Sequence, residues 1–484
     1  DGPSTYNHAF LFSDCRELTL EGFTFTTDAP VNTVGTVIGK NPKEHTYDVL
    51  IDPEFPVTGF EHLYGSDTVD DDGSPDYALE TYDKIEKTTV TDENGKERLK
   101  ITGVVYTVIG DHTIRVQLPD WVNYDRVHVG HRIMYRYLIY GNGTLSFADC
   151  HDVTVRHIEI ARSNSFGAHV SPRSSNFTFE DFNIRSPKGS KAVYASNADG
   201  IHILGLSGYL KMKTCHFDGL GDDALNIHGM YTRIVDVERD ALLVREMHQE
   251  ASGIRIFRAG DRIQLLNPKS LIPFSERIIR DVEYINSEII RLSLEPLPPE
   301  VADSAARIPA PEIRPGQVVE NISHNVALTF RHNIVRCNRA RGMLIASRGR
   351  TVIEDCDFHT SGAAILFEAN GEYWFESGGT QDVTIRNCMF DTCRHGGWGN
   401  AVIECAPREA VETGRYFHRR IRVLDNSFRM ASGGAPAAIF DNIADLCFRG
   451  NTLIPAPDGT PVRILLSHIG RADIQSDVES EARA

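Results

Sequence analysis

The sequence predicts an all-β protein, a right-handed parallel β-helix interrupted by two inserted antiparallel β-barrels. Three observations carry that expectation. A short alternating strand that ends in a polar turn residue and an apolar anchor recurs along the chain. No segment shows a competing helical period, and two long stretches break the recurrence without ending it.

The recurring strand reads as Leu18–Phe25, Val153–Ile160, Phe177–Ile184, Val352–Phe358, Val383–Phe390, Val423–Phe428 and Cys447–Leu453. Period-two alternation with Asn or Asp at the bend is what a half-buried strand entering a tight solenoid corner requires. Its closing residues Ile160 and Ile184 lie 24 apart, Val335 and Phe358 lie 23 apart, and Phe428 and Leu453 lie 25 apart. Each gap is one coil of a β-helix. Residues 1–35 therefore open the solenoid, 36–140 form the first insertion, and 141–229 resume the coil. Residues 230–320 form the second insertion, 321–456 continue the solenoid, and 457–484 form a C-terminal tail whose polar, acidic end, Ala472–Ala484, is expected to fray. Within the insertions, Asp67–Asp76 reads as an acidic, solvated excursion and Pro296–Pro315 as a stiff linker.

Composition narrows the function. The 50 basic and 67 acidic residues leave a net charge of −17, which argues against a nucleic acid as the main partner. No apolar run reaches the length that would span a membrane. The chain opens at Asp1 without a methionine, so an export signal and an N-terminal solenoid cap are expected to have preceded it. Its nine cysteines show neither a Cys-x-x-Cys pair nor zinc spacing and are expected as buried core residues, with few or no disulfides and no metal. The inserted barrels would serve as subunit contacts in a homodimer.

The chemistry concentrates in Asn197-Ala198-Asp199-Gly200 and in Gly221-Asp222-Asp223-Ala224-Leu225-Asn226-Ile227-His228-Gly229. Asp199 precedes Asp222 by 23 residues and Asp223 by 24, so one turn of the solenoid would set the three carboxylates about 4.8 Å apart. Crowded carboxylates cannot all ionise, and one that keeps its proton beside neighbours that do not is glycosidase chemistry. Asp222 is the expected acid, with Asp199 and Asp223 gripping the attacking water in an inverting reaction. Each motif alone also makes an ordinary turn. Together, one coil apart and beside His169, His202, Asn226 and His228, they favour a site, with these four residues as sugar contacts. Trp374 as an aromatic platform and Glu376 as a hydroxyl acceptor are further candidates, followed by Arg341 and Trp398.

The Asn-Ala-Asp-Gly and Gly-Asp-Asp segments resemble the Asn-Thr-Asp-Gly and Gly-Asp-Asp elements of polygalacturonase-type β-helix hydrolases, but that family's later Gly-His-Gly and Arg-Ile-Lys elements are not in place. The chain is more fully similar to glycoside hydrolase family 110, the exo-acting α-1,3-galactosidases of bacteria. That resemblance rests on the Asp-Gly and Gly-Asp-Asp-Ala-Leu-Asn-Ile-His-Gly segments, on Gly371–Gly378, and on a solenoid broken by two barrels. It implies inverting hydrolysis without metal or cofactor, Asp222 as acid, Asp199 and Asp223 as bases, terminal α-linked galactose as substrate, and a secreted or periplasmic bacterial enzyme. The rival readings are a polygalacturonase-like hydrolase, which would need a basic subsite for uronate, and a non-catalytic adhesin or tailspike.

Overall fold

The computed structural model describes residues 8–28, 30–57, 65–69, 75–81, 86–91, 97–102, 105–118, 124–136, 140–248, 253–296, 313–396, 398–406, 412, 414–475 and 479–482. Its main body is one large, predominantly parallel sheet wound into a solenoid, with no α-helix among the described residues. One ladder of the solenoid stacks Leu11, Ser146, His169, His202, Asn226, Leu344, Leu366 and Glu404 in register on successive rungs. Side chains alternate across a strand, so the flanking Ala168, Ile201, Leu225, Met343 and Ile365 point inward, where they are fully buried.

The other strands bend midway. At the bend each rung places one residue at positive φ: His157, Asp181, His332, Asp355, Asn387 and Asp425 among them. Asn and Asp tolerate this left-handed conformation better than other side-chain-bearing residues, which explains their recurrence at the corners. Just past the bend, buried polar side chains satisfy the backbone of the neighbouring rung. The Cys215 N–H donates to Asn333 at 2.8 Å, Cys388 to Asn426 at 3.0 Å, and Asn426 to Asn451 at 3.0 Å. Inside, Phe358, Phe390 and Phe428 stack with centroids 5.2 and 4.7 Å apart. Cys150, Cys215, Cys356 and Cys388 are buried in the same core, while Cys447 is only partly so.

In the first insertion, seven strands make one antiparallel sheet that begins at Asn32–Asn41. Half of the stretch expected as an acidic excursion is strand: Gly65–Val69 pairs with Pro75–Thr81, and 70–74 lie outside the described residues. Backbone pairing overrides the charged side chains there. The second insertion closes on itself. Leu225–Val237 pairs with Ala241–Glu246, that with Ile289–Leu294, then Pro273–Tyr284, Arg262–Leu266 and Val318–Asn321, which returns to the first. The result is a six-stranded antiparallel barrel. Most of the linker expected after it, 297–312, lies outside the described residues.

The reading of 457–484 as a tail beyond the solenoid, frayed from Ala472, is corrected. Arg463–Ile474 adds a parallel rung to Ala438–Arg449, and Glu479–Ala482 pairs with it in turn. Ile464, buried against that rung, supplies the apolar anchor that the polar composition of this stretch obscured. Among the described residues no helix is long and apolar enough to cross a membrane.

Candidate active site

Asp199 and the Asp222–Asp223 pair occupy the turns that lead into two neighbouring strands of the straight ladder, Ile201–Leu204 and Leu225–Val237. The turns stack because backbone bonds tie them: Gly200 N–H to Asp223 O at 2.8 Å and Gly221 N–H to Ser196 O at 2.8 Å. The first insertion supports them from behind, where Asn32 donates to Asn197 at 3.4 Å and the buried Arg136 to the Gly221 carbonyl at 3.5 Å. Gly221 allows this approach, since a Cβ there would overlap the Asn197 carbonyl oxygen and stand 2.7 Å from its carbon. Neither backbone can yield without moving an aspartate. Gly221→Ala is therefore expected to lower both melting temperature and turnover, and an alanine variant that melts and works like the parent would show that the two turns are not so tightly locked.

An oxygen from each of Asp199, Asp222 and Asp223 lies within 4.8 Å of the other two. A divalent cation could bridge oxygens so placed, but the positive charge the fold itself supplies is Arg341. Its guanidinium grips Asp223 with both prongs, at 2.8 and 2.9 Å, and its own backbone N–H adds a third bond at 3.1 Å. Asp223 is completely buried, and only Asp222 of the three is appreciably accessible. Burial pushes the Asp223 carboxyl upward against the pull of Arg341, with Asp222 and Asp199 adding to the rise. Burial, then the charge of Asp222, holds the Asp199 carboxyl well above the usual range, opposed by the Asp223 N–H that it accepts at 3.1 Å. Burial works against the Arg341 cation, but Asp223, Asp222 and Glu376 together raise its pKa. Such a cluster holds a proton to higher pH than isolated carboxylates would.

Across the ladder from these turns lie the histidines. Asp199 Oδ2 is 2.7 Å from His202 Nδ1, His202 Nε2 is 3.1 Å from His228 Nε2, and His228 Nδ1 is 2.7 Å from the Gly229 carbonyl. Glu376 Oε1 stands 3.7 Å from His228 Nε2. Glu376 reaches this place because its backbone pairs with Met230 and that of Ser377 with Gly229. His169 stacks on His202 with centroids 5.7 Å apart and is held neutral by burial, reinforced by His202 and His8. Asn226 completes the floor in register with both.

Trp374 is 44% exposed and Tyr373 67%, their rings edge to face at 4.9 Å. Asn370 fixes that loop by accepting the N–H groups of Glu372, Tyr373 and Trp374 at 3.3, 2.7 and 3.0 Å. His248 from the barrel packs on Trp374 at 4.9 Å. Tyr373 and His248 went unnoticed in the sequence, the latter because nothing in the segment after the barrel strand Ala241–Glu246 signals its neighbour in a solenoid loop. Trp398 lies under the Arg339 guanidinium at 5.1 Å. The sequence thus pointed to Asp199, Asp222, Asp223, His169, His202, Asn226, His228 and Glu376, all of which meet here. Arg341, expected to contact sugar, is spent on Asp223.

The fold and site define a β-solenoid with an inserted closed barrel and a buried carboxylate cluster on one ladder. The chain is related to bacterial α-1,3-galactosidases, and residues 241–304 match the GLAA-B beta-barrel domain II. It is 28% identical over 336 residues to alpha-1,3-galactosidase A of Bacteroides fragilis, covering 68% of this chain and 53% of the relative. Against alpha-1,3-galactosidase B of Bacteroides thetaiotaomicron it is 31% identical over 310 residues, covering 63% and 48%. Against alpha-1,3-galactosidase A of Akkermansia muciniphila it is 31% identical over 268 residues, covering 55% and 42%. The chain spans about half the length of these curated relatives. Among solved structures, the A-module of the mannuronan C-5 epimerase AlgE4 of Azotobacter vinelandii aligns over 71% of this chain and 74% of that one, with 9% identity and a TM-score of 0.30, too slight a likeness to carry an argument.

Proposed function

We propose that this chain is a glycoside hydrolase that removes terminal α-1,3-linked galactose with inversion, Asp222 protonating the leaving oxygen while Asp199, paired with Asp223, holds the attacking water. The observation that carries the reading is the division of environments within one cluster. Asp222 reaches the surface, where a glycosidic oxygen can take its proton, whereas Asp199 and Asp223 are sunk beneath it. The relatives named α-1,3-galactosidases supply the substrate class. Trp374 and Tyr373 offer aromatic faces to the apolar side of a pyranose.

Spacing alone would not choose inversion, because oxygens within 4.8 Å of one another are closer than the roughly 6.5–9.5 Å between acid and base in most inverting enzymes. The support comes from how the oxygens are occupied. A retaining nucleophile needs an unencumbered oxygen at the anomeric carbon. Both Asp223 oxygens are held by Arg341, and those of Asp199 by the Asp223 N–H and His202. Oxygens so held suit gripping a water better than forming a bond to carbon. As the single positively charged group in contact with the cluster among the described residues, Arg341 is already neutralised, which disfavours a uronate substrate.

The test is hydrolysis of Galα1,3Gal followed by proton NMR. β-Galactose is expected as the first product. α-Galactose would replace inversion with retention, activity confined to polygalacturonate would move the chain to the rival hydrolase class, and inertness on both would remove the enzymatic reading.

A further inference from the structure

We propose that His202 and His228 form a proton relay that turns Asp199 into a base, with Glu376 as the counter-ion at its far end. This rests on the reading of Asp199 as the water-holding carboxylate and assigns new roles to three side chains first taken as sugar contacts.

The hydrogen-bond directions argue it. A backbone carbonyl only accepts, so His228 Nδ1, 2.7 Å from Gly229 O, carries a proton. If His228 is neutral, its Nε2 is a lone pair. The bond at 3.1 Å between the two Nε2 atoms is then donated by His202. A neutral His202 that donates from Nε2 has a bare Nδ1, and its bond of 2.7 Å to Asp199 Oδ2 must be donated by a protonated carboxyl. With both imidazoles neutral, the resting chain is Asp199-OH to His202 to His228 to Gly229 O. Burial independently favours the protonated carboxyl.

The same three groups have a second arrangement with the same number of protons. The Asp199 proton passes to His202 Nδ1 as the O–H bond breaks and an N–H bond forms. The His202 Nε2 proton passes in the same way to His228 Nε2. Asp199 is left a carboxylate, His202 neutral and His228 an imidazolium, whose charge lies 3.7 Å from Glu376 Oε1. No oxidant or added proton is needed. Asp199 can then take a proton from the attacking water while Asp222 gives its own to the leaving oxygen.

The surroundings set the balance. His202 faces Asp199, His228, His169 and Phe166, and His228 faces His202 and Glu376, while the charges of Asp222, Arg341 and Glu376 also act on Asp199. His169, held neutral, adds no competing cation against His202. The relay is built so that the one carboxylate beyond it, Glu376, rewards the transfer.

Nitrogen-15 NMR of the imidazoles in the unliganded protein near neutral pH tests the relay without reference to activity. His202 protonated at Nε2 and bare at Nδ1, with His228 protonated at Nδ1 alone, is the expected pattern. His202 carrying a proton on Nδ1, alone or together with one on Nε2, beside a singly protonated His228 overturns the proposal. In turnover, His202→Gln and Glu376→Gln are expected to lower kcat, the former by about a hundredfold, while the inhibition constant for galactose stays within about twofold of the parent. Loss of galactose affinity in step with kcat would return both residues to sugar contact and overturn the relay. Should the protein hydrolyse no galactoside at all, the functional reading fails and the NMR pattern still decides the hydrogen-bond chain.

Discussion

Replacing Asp222 with asparagine is expected to lower kcat by roughly two to four orders of magnitude, the range that general acid catalysis spans. The side chain keeps its shape and loses only the proton it can give. In its ionised form Asp222 pushes both Asp199 and Asp223 upward, and asparagine removes that source of repulsion from the cluster. The melting temperature should accordingly match or exceed that of the parent. Steady-state kinetics on Galα1,3Gal beside a thermal melt checks both halves, and a variant retaining more than a tenth of parental turnover would take Asp222 out of the acid role.

Arg341→Met is expected to destabilise the protein by about 3–5 kcal/mol, the usual consequence of stranding one member of a buried ion pair. Asp223 has no exposed surface and would be left with its charge uncompensated or be forced to protonate. Adding Asp223→Asn to Arg341→Met should recover much of the loss, because the stranded charge is then gone. Denaturant unfolding of the two single variants and the double variant closes the cycle. A single Arg341→Met variant as stable as the parent would mean that the guanidinium contributes nothing to holding the turn.

Much of this site could be read from the sequence because a solenoid converts sequence spacing into spatial adjacency. Asp199 and Asp223 are one coil apart, and so are His202 and Asn226, which pair directly. Strand alternation likewise pointed to the rungs, since their inward residues are nearly all apolar. Where the coil is interrupted, that conversion fails. Arg341 is 118 residues from Asp223, and no period connects them, so its grip on that carboxylate was invisible. Glu376 was noticed, but its seat against Met230 depends on an antiparallel contact outside the repeat. The strand at Arg463–Ile474 was missed because it lies within a polar, acidic terminal stretch, and backbone pairing with an existing rung leaves no trace in composition.

The strand Leu225–Val237 belongs to the solenoid at one end and to the second barrel at the other, and this continuity bears on how the Asp223–Arg341 clasp can form. Bringing two ends of a free chain together costs more entropy the longer the loop between them. Closing the barrel sets Tyr231 opposite Glu320, which leaves eight residues from Asp223 to the first of these and 21 from the second to Arg341. The barrel thus acts as a staple on the unfolded ensemble, and a lesion deep inside it would tax the assembly of a pocket it lies well away from.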